Sequence, residues 1–357
     1  MKITFILPFK FLTGGVKIVF EFANHLVDRG YEVLIFHPLI PFRFGDKVVS
    51  ISGNYWQLRG LLANIKQGKK VNWFDLKAKI IRIPRISNKF IEDADIVVAT
   101  AWPTAYAVHK LTDKKGKKFY FIQGYETWRG PIETINKSYQ LPLNKIVVSN
   151  WLKKIIKHKF NQKVDAVVTY GVDFNKFYNE KKVLNDRKKI LMMYSPLELK
   201  GSADGLKAFE IAKKKHPEIE LVMFGVKRGP DVNKYGYFYQ NPSISKLREL
   251  YSTSDIFILP SWIEGCSIPP MEAMACKCAV VATEVGGIHD YAVKGKTVLV
   301  NKPKDVEKMA ENIIYLLDNP DELMRLSIAG YNHIKQFTWE KAVNKLERCF
   351  KNRLNIN

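Results

Sequence analysis

Apolar residues along the chain fall into short unbroken runs separated by amphipathic stretches, and this alternation occurs in two rounds. Lys2–Leu7 is an apolar run rich in Ile and Phe, the pattern of a strand buried on both faces. Val16, Val19, Phe20, Ala23, Leu26 and Val27 then recur at helical spacing until Gly30, and Glu32–Phe36 is the next strand. A strand–helix–strand opening of this kind predicts a parallel, Rossmann-like sheet. Asp95–Thr100, Lys118–Ile122 and Lys145–Val148 supply its later strands. In the second round, Lys189–Tyr194, Ile219–Phe224, Asp255–Leu259, Ala279–Thr283 and Thr297–Val300 read as strands. Ser202–Lys215, Ser245–Tyr251, a segment within Glu264–Cys276, Lys304–Leu317 and Pro320–Gln336 read as helices.

The fold class is therefore α/β, with two Rossmann-like parallel-sheet domains whose strand carboxyl ends face one cleft. A seam is expected between Tyr170 and Lys188, where Gly171-Val172-Asp173 leads into a polar, Lys-rich stretch. The expected domains are 1–170 and 171–337, with a helical segment at 338–357. A length of 357 residues agrees, at about 150 residues per domain. Lys2 to Phe11 is interrupted by Pro8 and Lys10 and lacks a small-residue cleavage site, so no signal peptide is expected. No apolar run reaches the roughly 18 residues of a spanning helix.

Charge changes the picture more than overall composition does. Lys+Arg number 57 against 35 Asp+Glu, a net +22, while 46% apolar content excludes a disordered polycation. Residues 1–170 carry +16 of this and residues 171–357 only +6. The dense stretches are Lys66–Lys89, Lys114–Lys118 and Lys153–Lys163. In the last, Trp151, Leu152, Ile155, Ile156 and Phe160 keep helical spacing between lysines, behind a cap at Ser149 or Asn150. That pattern fits a solvated basic face, and it equally fits a helix lying on anionic lipid. Cys266, Cys276, Cys278 and Cys349 are too few and too clustered for a disulfide framework, which fits a cytoplasmic protein, peripheral at most on the inner membrane face.

The segment richest in chemistry runs from Pro260 to Thr283. Glu264 stands in a loop, Gly265-Cys266-Ser267-Ile268 follow, and Pro269-Pro270 open a helix whose first turn is expected to hold Glu272. Free amides at a helix start attract anions, aided by about half a positive charge from the dipole. A diphosphate would sit over Gly265–Ser267, and the two glutamates could accept hydrogen bonds from hydroxyls on either side. A nucleotide sugar offers that series of groups.

The Glu, seven residues, Glu spacing with Glu272-Ala-Met-Ala-Cys276 resembles retaining glycosyltransferase family 4, of GT-B fold. The resemblance extends to Thr13-Gly14-Gly15, Val147–Leu152, Lys200-Gly201, Tyr251–Ser261, Gly286-Gly287 and Phe337–Glu340. It implies that Glu264 contacts the transferred sugar and that Glu272 holds the ribose. The amides of Gly265, Cys266 and Ser267 would hold the phosphates, and Lys200 would neutralise the leaving diphosphate. Ser195, Gly225 and Ile268 complete the donor side, with Gly14 and Gly15 from the other domain. The resemblance also implies that the 338–357 helix packs back on the first domain.

Two positions depart from the family. An Arg usual five residues before Lys200 is Ser195 here, and Lys227 or Arg228 is the candidate replacement. A histidine usual after the strand near Ile122 is replaced by Gln123, which cannot act as acid or base. Gln123-Gly124-Tyr125-Glu126 with Trp128 is similar to the rhamnosyltransferase-like branch, and places Gln123, Tyr125 and Glu126 on the acceptor side.

Neither a metal nor another cofactor is expected. Asp93-Ala94-Asp95 precedes its strand instead of following it, Cys276-x-Cys278 lacks a second pair, and the seven histidines show no ligand spacing. The expected partners are a nucleoside-diphosphate sugar and a glycan or lipid-linked acceptor. Nucleic acid is disfavoured: Trp56, Trp73, Trp102 and Trp128 could stack bases, but no recognition signature accompanies them. A sugar-nucleotide epimerase or a phosphorylase of the same layout is the nearer alternative.

Overall fold

The computed structural model describes residues 1–42, 60–62, 71–127, 130–229 and 232–356. Trp56, Trp128 and the Lys66–Lys70 part of the basic stretch lie outside them. The chain divides into two compact units, Met1–Val168 with Trp339–Asn357, and Thr169–Thr338.

The first unit is built on seven parallel strands. These are β1 (Lys2–Ile6), β2 (Glu32–Pro38), β3 (Lys79–Ile83), β4 (Ile96–Ala99), β5 (Lys117–Ile122), β6 (Asn144–Val147) and β7 (Ala166–Val167). Their order is β3-β2-β1-β4-β5-β6-β7. β1 is central, with Phe5 beside Ile35 on one neighbour and Val98 on the other. Every residue of Ile3–Ile6 is buried, which explains the unbroken apolar run. The sequence did not signal β3 or β7. β3 (Lys-Ile-Ile-Arg-Ile) is a charged, half-exposed edge, and β7 has only two residues.

Helix α1 (Gly14–Asp28) begins where Thr13 Oγ1 accepts a hydrogen bond from Val16 N at 3.3 Å. Gly14 and Gly15 are therefore its first two residues, not a separate turn before it. α2 (Trp102–His109) and α3 (Ile132–Gln140) follow β4 and β5. α4 (Asn150–Phe160) is capped by Ser149, which accepts from Leu152 N, and buries Leu152, Ile156 and Phe160.

The second unit has six parallel strands: β8 (Lys189–Met193), β9 (Glu220–Gly225), β10 (Gly236–Gln240), β11 (Ile256–Leu259), β12 (Ala279–Thr283) and β13 (Leu299–Asn301). Their order is β10-β9-β8-β11-β12-β13. The chain winds outward from β8 in one direction and from β11 in the other. The switch point therefore lies between β8 and β11, where an open parallel sheet leaves a crevice for ligand. α5 (Ser202–Lys215), α6 (Ile244–Thr253), α7 (Ile268–Ala275), α8 (Val306–Asp318) and α9 (Pro320–Ile334) cover its faces. Ile190, Met192, Phe209, Met223, Ile258, Ile313 and Leu316 make one core between sheet and helices. Each such side chain contributes roughly 1.5–3 kcal/mol on burial.

α10 (Trp339–Leu354) belongs to the first unit. Trp339 packs edge-on against Phe22 at 5.2 Å, and Phe350 against Phe119 at 4.9 Å. Glu347 takes hydrogen bonds from Tyr31 and Arg29. Among the described residues no helix is long and apolar enough to cross a membrane.

Candidate active site

The β8 and β11 loops meet at the switch point of the second unit. After β8 the chain runs through Ser195 to a 3₁₀ turn, Glu198–Lys200, ahead of α5. Ser202 Oγ accepts from Ser195 N and donates to Ser195 O, both at 2.9 Å, and closes this loop. After β11 the chain bends at Pro260, and Trp262 N donates to Leu199 O at 2.8 Å, tying the two loops together. The Trp262 indole donates to Asp204 at 2.6 Å, and Lys304 caps its ring at 4.0 Å.

This frame brings Lys200 Nζ to 2.7 Å from Glu264 Oε1. The two residues are 64 apart along the chain. Glu264 is pinned from behind. Gly286, at φ +51°, comes so close that a Cβ there would stand 1.6 Å from Glu264 O, and Gly287 N donates to Gly265 O at 3.0 Å. Only glycine permits this approach.

Gly265, Cys266, Ser267 and Ile268 lead in succession from the Glu264 loop into the start of α7. Backbone amides ahead of a helix start are the kind of donors that suit an anion. The helix start itself contributes few donors, because Pro269 and Pro270 have no N–H. The donors come mainly from the loop.

Glu272 also differs from expectation. α7 begins at Ile268, so Glu272 is its fifth residue and lies beyond the first turn. It is buried, 4% exposed, and accepts a hydrogen bond from Tyr251 OH at 3.1 Å. The helix dipole at the N-terminus therefore does not account for its position; a buried hydrogen-bonded pairing does. The Cys266 thiol is pushed well up by burial, which leaves it no nucleophilic character at neutral pH. All four cysteines are free and buried.

In the first unit, Gln123 stands at the end of β5 and donates to Gly15 O at 3.2 Å, so it meets the start of α1. Tyr125 OH pairs with Asn136 Oδ1 at 3.1 Å, and Lys159 lies 4.9 Å over its ring. Glu126 accepts from Trp102 N at 3.3 Å, the first amide of α2, next to Ala101 N, which donates to Thr104 Oγ1 at 3.0 Å. Its carboxylate thus serves the helix start. Asp93 accepts from Lys115 and Asp95 from Lys2 N, both at 2.7 Å, as strand-start residues. Among the described residues no group of three or more His, Cys, Asp or Glu could hold a metal ion.

Trp262, Asp204 and the Tyr251–Glu272 hydrogen bond were not legible as site features. Their partners lie 58 and 21 residues away, beyond any local spacing rule.

The two parallel-sheet, Rossmann-like α/β domains define the GT-B fold, and solved glycosyltransferases share it. Sucrose-phosphate synthase from Thermosynechococcus elongatus aligns with TM-score 0.73 at 14% identity, covering 99% of each chain. Anabaena HepE in complex with UDP-glucose aligns with TM-score 0.71 at 13% identity, covering 99% of this chain and 100% of that one. At such identities the likeness shows the fold.

Sequence comparison narrows the class for the second unit. Residues 174–333 match the family model for glycosyl transferases group 1. Alpha-maltose-1-phosphate synthase of Mycolicibacterium smegmatis is 37% identical over 101 residues, 26% of each protein. The capsular polysaccharide biosynthesis glycosyltransferase CapM of Staphylococcus aureus is 28% identical over 196 residues, 48% of this chain and 51% of that protein. The chain thus spans between 26% and 51% of these curated relatives.

Proposed function

We propose that the protein is a glycosyltransferase of the retaining, metal-independent kind. It moves a sugar from a nucleoside-diphosphate sugar to a glycan or lipid-linked acceptor. The observation that carries this reading is the cluster at the β8–β11 switch point. Lys200 and Glu264 pair there, the Gly265–Ile268 segment follows Glu264, and Glu272 lies on the helix that it opens.

As the sugar–phosphate bond breaks, negative charge gathers on the diphosphate. Lys200 and the loop amides stabilise it in place, the largest single contribution such a site can make. Glu264, held by Lys200 and backed by Gly286, accepts hydrogen bonds from the transferred sugar's hydroxyls. Glu272, oriented by Tyr251, holds the ribose. The acceptor attacks on the leaving-group face, and a phosphate oxygen takes its proton, so configuration is retained without a protein nucleophile. Gln123, Tyr125 and Glu126 belong to the acceptor side in this reading. Ser195 and Gly225 stand at the β8 and β9 ends beside the donor. HepE, whose structure holds UDP-glucose, lends support for a nucleotide-sugar donor.

The exposed Lys153, Lys154, Lys157 and Lys159 of α4 give the first unit a basic face suited to an anionic membrane surface carrying the acceptor. No protein cofactor takes part.

The decisive assay measures nucleoside diphosphate release from a panel of nucleotide sugars, with and without a lipid-extract acceptor and with EDTA present. Acceptor-dependent release that survives EDTA supports the proposal. No release from any donor overturns it. Failure to co-sediment with anionic liposomes at low salt removes the membrane part alone.

A further inference from the structure

The way α4 ends builds a cavity in the first unit, away from the cluster described above. Asn161 takes the left-handed conformation at φ 50°, and Gln162 N donates back to Ile156 O at 3.1 Å. This closing turn brings residues 162–164 back beside the helix before β7 begins at Ala166. Between helix and returning segment lies a cavity of about 330 Å³, lined by Lys153, Lys157, Asn161, Gln162, Lys163 and Val164. Lys153 and Lys157 stand one turn apart on one face of α4, and Lys163 comes from the opposite wall.

The polar lining is rich in donors. Three ammonium groups meet there with two carboxamides, and among the described residues none of those lining it is acidic. The nearest acid along the chain, Asp165, has a side chain only 7% exposed and is engaged by Arg353 and by Lys145 N. Gln162 is set from below by Lys145, a buried residue whose Nζ donates to Gln162 Oε1 at 3.2 Å and to the carbonyls of Leu141 and Leu143. With its oxygen held this way, the amide turns its N–H pair to the other side. The helix dipole accounts for Lys157 in the last turn of α4, but not for Lys153 a turn earlier or Lys163 beyond the cap. Like charges one turn apart on a helix repel, and a compact anion of more than one charge is the counterpart that three ammonium groups and an amide suit.

We propose that this cavity binds a phosphate monoester, with the dianion held by Lys153, Lys157, Lys163 and the Gln162 amide. Its volume is at the lower end of the roughly 300–1,000 Å³ of small-molecule sites, which fits a phosphate carrying a small organic group. Placement separates it from the reacting centre. α4 follows the carboxyl end of β6 and runs back along the sheet, so residues 161–164 lie towards the strands' amino ends, whereas substrates of open parallel sheets bind at the carboxyl ends. The monoester is therefore an effector or an anchor: a soluble phosphorylated compound, or the headgroup of a phosphomonoester lipid. The inference shares Lys153 and Lys157 with the basic face proposed above for a membrane and is independent of the donor site.

The test uses the full chain. Calorimetry measures binding of glycerol 3-phosphate, and co-sedimentation compares phosphatidylcholine vesicles carrying phosphatidic acid, a monoester, with vesicles carrying the same fraction of phosphatidylglycerol, a diester. Lys153→Ala, Lys157→Ala and Lys163→Ala are each expected to weaken monoester binding roughly 10- to 100-fold, the range for a lost charge-assisted contact. Lys154→Ala, on the same helix but outside the cavity, should change it less than about twofold. Binding of glycerol 3-phosphate with this pattern identifies a soluble ligand. Preference for phosphatidic acid alone, lost in the same three variants, identifies a lipid headgroup, and either result supports the inference. Binding of neither monoester overturns it. So does an equal loss in Lys154→Ala and Lys157→Ala, which would reveal a diffuse basic field in place of a site. Equal sedimentation with both lipids and no binding of glycerol 3-phosphate overturns the inference while the membrane face stands; glycerol 3-phosphate binding without vesicle binding does the reverse.

Discussion

Lys200 Nζ and Glu264 Oε1 lie 2.7 Å apart, joining the loop after β8 to the loop after β11. The pair sets both charges at the switch point of the second sheet before any ligand arrives, and it defines the first experiment. Lys200→Ala and Glu264→Ala should each lower turnover roughly 10²–10³-fold, as loss of a preorganised charge at a reacting centre does. Lys200 is 30% exposed, so the pair itself contributes less than about 1 kcal/mol to stability. Melting temperatures should shift by only a few degrees. Near wild-type turnover in both variants would exclude this cluster as the reacting centre.

Gly286→Ala should damage the same site through the backbone. Its Cβ would meet Glu264 O at 1.6 Å, so the Glu264 loop must move. Gly295 is a matched control: φ is +72° with nothing within 4 Å of a Cβ. Gly295→Ala should cost only the roughly 1–2 kcal/mol of left-handed backbone and leave turnover intact. Gly286→Ala should cost on the order of 3 kcal/mol and most of the activity. Denaturant melts with initial rates separate the two, and equal behaviour would show that the Gly286 contact does not hold the site.

Tyr251→Phe removes the hydroxyl that donates to buried Glu272 at 3.1 Å. A hydrogen bond to a charged group contributes about 1.5–3 kcal/mol, so the variant should be measurably less stable. If Glu272 holds the ribose, the donor KM should rise severalfold while kcat falls less. A stability loss with an unchanged donor KM would leave Glu272 a structural residue only.

His37, at the end of β2, provides a pH test of the first unit. It is fully buried beside Lys10 and Arg82, and burial, then those charges, hold its pKa down to about 4 against an accepting contact at Pro38 O. The folded protein keeps this imidazole neutral, whereas the unfolded chain protonates it below about 6.5. Between those values the unfolded state binds the extra proton, so stability falls as pH drops from 6.5 towards 4. The full effect is about 3 kcal/mol. In urea melts the difference between wild type and His37→Gln should shrink over this window as the wild type loses its advantage. A pH-independent difference would contradict the neutral, buried imidazole.

Much of the fold was legible because a parallel sheet buried on both faces needs unbroken apolar runs. Ile3–Ile6, Ile256–Leu259 and Ala279–Thr283 could be read directly, and α10 was expected as helical from Trp339 to Leu354. β3 and β7 escaped because one is a charged edge and the other has two residues, and neither carries a local signal. Within the site, local spacing was enough to single out residues close in the chain: Glu264, the loop amides after it, and Glu272 eight residues on. That Lys200 meets Glu264 and that Tyr251 meets Glu272 came only from the tertiary fold. The physical reason is range. Periodicity and capping act over a few residues, whereas these contacts join loops and helices that become neighbours only when β8 and β11 align in one sheet.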